Sequence, residues 1–112
     1  MASEQVKSIL AQFQEVQNEL NNLIDTHQQL LSQLSENQQV LKELEKLEPD
    51  ARVFKRLGPV LLPQEFAEAK TNVEKRIDFI QTESQRVDKR IEHLISKRNE
   101  LQTEIVKSKQ AP

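Results

Sequence analysis

Few side chains in this sequence are of types that do chemistry, and their spacing gives them little to work with. There are two histidines, His27 and His93, and no cysteine, so no ligand set for a metal is expected, and disulfides, thiol nucleophiles and thiolate metal centres are excluded. The single glycine leaves no glycine-rich loop to cradle phosphate. No serine, histidine and acid stand together with a pocket around them, and two helices joined by a short link cannot enclose the water-free site that catalysis requires. The expectation is a protein with no enzymatic activity and no cofactor. Arg86, Lys89, Arg90, Lys97 and Arg98 form a basic stretch that could follow a phosphate backbone. Glu83, Asp88, Glu92 and Glu100 interleave with it and no aromatic residue is there to stack a base, so a solvated, salt-bridged helix face is the better reading.

What the sequence does carry is a pair of long amphipathic segments. Its 112 residues suffice for one domain, 1–112, but 4% aromatic and 36% apolar content is thin material for a globular core. The apolar residues recur on schedule instead, which indicates coiled coil and not disorder. Ser3 can cap a first helix, with Glu4 in its opening turn. With heptad position a at Val6, the a series is Val6, Phe13, Leu20, His27, Leu34 and Leu41, and the d series is Ile9, Val16, Leu23, Leu30, Asn37 and Leu44. This helix is expected within residues 1–48, ending near Leu47 because Pro49 disfavours helical geometry in the residue before it.

A second helix is expected over residues 64–107, opening at Pro63 with Glu65 and Glu68 in its early turns, followed by a tail at 108–112. Its seam reads Phe66, Lys70, Val73, Ile77, Ile80, Ser84, Val87, Ile91, Leu94, Arg98, Leu101 and Ile105. At 1.5 Å per residue each helix extends roughly 65 Å. Folded back as an antiparallel coiled coil, the pair buries both seams and brings the free ends together, away from the link.

That link, residues 52–63, is the part around which the chain is organised. Val53, Phe54, Leu57, Val60, Leu61 and Leu62 form two short apolar runs either side of Gly58-Pro59, so strand, tight turn, strand is expected. A lone hairpin is marginal in water, leaves backbone groups unpaired along both outer edges, and here carries bulky apolar groups on both faces. With no third strand in the pattern, its partners must be other chains.

His27 and Ser84 interrupt the seams near the middle of each arm. They read as a register-setting pair, a pH-sensitive joint or simply polar residues in a thin seam, while His93 falls on an exposed helical face. At the free ends Leu10 beside Ile9 and Phe13, and Val106 beside Ile105, widen the apolar stripe beyond what a two-helix seam needs. Residues 1–48 hold three Lys against eight Asp or Glu, whereas residues 65–107 hold nine charges of each sign, so the two arms attract weakly and nucleic acid is not an expected partner. No run of about 18 apolar residues exists to cross a membrane, and no basic and apolar leader opens the chain, so a cytoplasmic protein without membrane partners is expected.

Val53-Phe54-Lys55, Gly58-Pro59-Val60-Leu61, Glu68-Ala69-Lys70 and the run from Asn72 to Ile80 resemble the β-class subunits of prefoldin. About a quarter of the chain carries the specific likeness, and the arms match as generic heptads. Phe54 stands where that family more often has Tyr. The resemblance implies a mainly α fold, a long antiparallel two-helix coiled coil whose single β-hairpin joins an intermolecular β-barrel, within a heterohexamer of α-class and β-class subunits. It implies an ATP-independent holdase that captures unfolded actin and tubulin and passes them to the cytosolic group II chaperonin. On that reading Val53, Phe54, Leu57, Gly58, Pro59, Val60, Leu61 and Leu62 carry assembly, and Val6, Ile9, Leu10, Phe13, Leu101, Ile105 and Val106 hold clients. A structural coiled-coil tether or oligomerisation module is the alternative.

Overall fold

The structure, a computed structural model, describes residues 3–48 and 50–110. Its elements run α1 (Glu4–Glu45), β1 (Val53–Leu57), β2 (Val60–Gln64) and α2 (Phe66–Gln110). Helix α1 starts where its first backbone donors find a partner. The Ser3 hydroxyl accepts from the Val6 N–H at 3.1 Å and the Ser3 carbonyl takes the first helical bond from Lys7, with Glu4 in the first turn. At the other end the helix tightens, with Lys46 and Leu47 each donating to the carbonyl three residues back. Pro49, invoked above as the stop, lies outside the described residues.

Gly58 and Pro59 form a two-residue turn, and Gly58 sits at φ +59°. Positive φ at the first central residue and a proline-compatible φ at the second are the requirements of a type II′ turn, whose twist matches that of the flanking strands. The strands pair antiparallel in the register Val53 with Gln64, Phe54 with Pro63, Lys55 with Leu62, Arg56 with Leu61 and Leu57 with Val60. Pro63 therefore belongs to β2 and does not open α2, contrary to expectation. Helix α2 begins at Phe66, with the Glu65 carbonyl accepting its first bond from Ala69. The ladder wins because carrying the pairing out to Gln64 sets Val53 against Leu44, Ala69, Val73 and Ile77. Counting from the turn, Phe54 with Pro63 is a pair that exchanges no ladder bonds, so the missing N–H of Pro63 faces outward and costs the hairpin nothing.

The chain forms two compact units, residues 30–84 and residues 1–29 with 85–112. In the first, the buried Leu44, Ala69, Val73 and Ile77 make a core on which Leu34, Leu41, Val53 and Phe66 pack. In the second, Val16, Leu20, Leu94 and Leu101 are the buried core, flanked by Ile9, Phe13, Leu23, Ile91 and Ile95. Every seam position read from the heptads is buried or half-buried, the polar His27, Asn37, Lys70, Ser84 and Arg98 included. Ala69 joins them unforeseen.

Two polar links cross the seam of the second unit. Arg90 donates through Nε (3.1 Å) and Nη2 (2.9 Å) to Glu19 Oε1, and His27 Nε2 lies 2.8 Å from Asp88 Oδ1. His27 is thus partnered one helical turn beyond Ser84. The order of these contacts, 19 with 90 and 27 with 88, is that of an antiparallel pair. Leu20, 1% exposed, is a strong test of this core. Leu20→Ala should cost about 2–4 kcal/mol in urea unfolding followed by circular dichroism, whereas Leu31→Ala on the half-exposed flank should cost under about 1 kcal/mol.

Candidate protein-interaction surfaces

The hairpin buries little against its own chain. Val53 is half-buried against the helices, but Phe54 (48%), Leu57, Val60, Leu61 (62%) and Leu62 are exposed. Residues directly opposite in an antiparallel pair share a face. The register therefore puts Leu57, Val60 and Leu62 on one side with Val53, and Phe54, Leu61 and Pro63 on the other. Each side presents bulky apolar groups, and among the described residues the sheet has two strands only. Gly58 and Pro59 at the turn are exposed as well, and space around Gly58 is open. Contiguous exposed apolar groups on an unpaired ladder mark a protein-protein contact. All eight hairpin residues singled out in the sequence lie in β1, β2 or the turn between them, seven of them exposed and Val53 half-buried.

The residues assigned to the free ends divide. Ile9 and Phe13 from α1 pack with Leu101 of α2 in one core, so the two ends are side by side. Leu101, however, is only 6% exposed and holds the seam, because its heptad position points at the partner helix. Val6, Ile9, Phe13 and Ile105 are half-buried. Leu10 and Val106, each 46% exposed, supply the available apolar surface. Val106 lines a shallow hollow with Asn99, Gln102, Thr103 and Lys107.

The exposed aromatic Phe79, in α2, is one large apolar side chain that heptad spacing did not single out. It lies off the seam, beside Gln33, Asn37, Lys75 and Arg76. Its signal in the sequence was an aromatic residue immediately before seam residue Ile80. Among the described residues no cluster of histidine and acidic side chains could hold a metal ion, and no helix is long and apolar enough to cross a membrane.

Comparison with known proteins matches this architecture. The Prefoldin subunit family model aligns with residues 7–111. Prefoldin subunit 6 of Saccharomyces cerevisiae is 43% identical over 97 residues, covering 87% of this chain and 85% of the yeast protein. Prefoldin subunit 6 of Arabidopsis thaliana is 47% identical over 78 residues, covering 70% of this chain and 60% of the plant protein. The crystal structure of the prefoldin beta subunit from Thermococcus strain KS-1 shares the fold, with a TM-score of 0.87 over 98% of this chain and 96% of that one at 24% identity. With an exposed two-stranded hairpin between two helices, a family model spanning nearly its whole length and relatives of this identity, the chain belongs to the prefoldin family.

Proposed function

We propose that this chain is a β-class subunit of a hexameric prefoldin, in which the hairpin joins neighbouring subunits and the paired helix ends grip unfolded proteins. The exposed hairpin carries the proposal. Five large apolar side chains stand in water on a two-stranded ladder, a state that pairing with other hairpins in a shared β-barrel relieves at both its edges and its faces. A plain coiled-coil tether has no use for them.

Clients are taken up without nucleotide hydrolysis by Leu10 and Val106, with Val6, Ile9, Phe13 and Ile105 exposed further as the ends fray. Each contact is weak and indifferent to sequence, but several ends engaging one unfolded chain act at high effective concentration. On this proposal the clients are nascent actin and tubulin, the recipient is the group II chaperonin, and the site of action is the cytoplasm. Leu101 acts by keeping the two ends together.

Val60→Asp with Leu61→Asp should leave a helical chain that no longer joins the other subunits, as read by native mass spectrometry, and a variant that still enters a hexamer refutes the assembly role. Removal of residues 1–10 and 103–112 should preserve the hexamer and abolish its suppression of actin aggregation by light scattering. Full protection by the trimmed complex would move client binding elsewhere.

A further inference from the structure

From Ala51 to Gln64 the sequence holds Arg52, Lys55 and Arg56 and no acidic residue, in a chain whose net charge is −2. All three cations are exposed, and among the described residues no carboxylate lies within ion-pair distance of them. Lys55 and Arg56 are on opposite faces of the ladder, so both sides of the hairpin are positive. Arg56 Nε donates to the Gly58 carbonyl at 3.3 Å, which holds its guanidinium by the turn.

A second observation in the same unit points the same way. A cleft of about 330 Å³ lies between hairpin and helices, and Lys55, Arg56 and Arg76 line it with Phe54 and Asn72; no acidic residue does. Its apolar floor and cationic rim suit a carboxylate side chain carried on a strand. The two edges of the hairpin are also unequal. Pairs that exchange no ladder bonds turn their backbone outward, so β1 offers N–H and C=O of Phe54 and Arg56, while β2 offers Leu61 complete and Pro63 without a donor. A strand that docks along β1 meets Arg56 directly.

We infer that the hairpin selects its neighbour by charge: its partner is an acidic strand of another subunit, laid along β1, with a carboxylate seated among Lys55, Arg56 and Arg76. This rests on the assembly role proposed above and names the partner's chemistry. A second copy of this chain would place cation against cation, which is destabilising across a ladder, so the same residues disfavour self-assembly. The cations thus set identity, and the apolar groups supply the area.

The test compares charge variants of the full chain in titrations with the purified remaining subunits of its hexamer. Lys55→Glu with Arg56→Glu should weaken entry into the complex at least about tenfold, and Lys55→Gln with Arg56→Gln by an intermediate factor. The wild-type affinity should fall between 50 and 500 mM salt, while the Gln variant's should be nearly flat. The Gln variant alone should self-associate more than wild type in sedimentation velocity. Unchanged affinity of the Glu variant, in a system where Val60→Asp with Leu61→Asp abolishes assembly, overturns the charge selection and leaves the assembly role standing. If the Val60 and Leu61 variant assembles normally, the assembly role itself fails. Stable self-association of the wild-type chain through the hairpin would also overturn the inference, as would salt-sensitive binding of RNA competing with the subunits for Lys55 and Arg56.

Discussion

A two-stranded ladder can satisfy only its inner backbone groups, and the exposed apolar side chains of this hairpin sharpen that deficit. Among the described residues no strand lies beside the outward N–H and C=O groups of Phe54, Arg56 and Leu61, which leaves them to water. The apolar side chains on both faces make water a poor one. Stability of the hairpin and association with other chains are therefore one problem. The helices solve only its near end, where Val53 is anchored on Leu44, Ala69 and Val73.

The arms obey a different economy. Their seams are narrow: the α1 seam is half-buried from Leu23 to Leu41, while the α2 seam is buried from Val73 to Val87. Polar residues in such a seam are tolerated because they reach its rim. His27 meets Asp88 there, and Lys70 and Arg98 are only half-buried, which suits long side chains that have an aliphatic stem and a charged end. Several of the many Gln, Asn and Thr side chains bond within their own helix, as in Gln14 with Asn18, Gln17 with Asn21 and Thr82 with the Asp78 carbonyl.

Most of this was legible in the sequence because heptad spacing reports directly on burial: twelve positions read in each helix, twelve found at least half-buried. The hairpin was legible for a similar reason, since a lone glycine before a proline admits few backbone geometries. Three things were not. Pro63 fits the first turn of a helix and the outward position of an edge strand equally well, and only the anchoring of Val53 decides between them. Ala69 contributes too little apolar area to register in a pattern, although it is buried in one core with Leu44. The cations at 52, 55 and 56 take their meaning from the pairing register, which spacing along the sequence does not give.

The polar links also fix what happens when the two helix ends part. The amide pairs and the Thr103 and Ser108 hydroxyl bonds stay within a single helix, so separation leaves them intact, and the cross-links Glu19–Arg90 and His27–Asp88 lie inward of Ile9, Phe13 and Leu101. Among the described residues, what holds the ends together outward of those links is therefore apolar packing alone, Ile9 and Phe13 against Leu101, and each helix keeps its own bonds whether or not that packing is made.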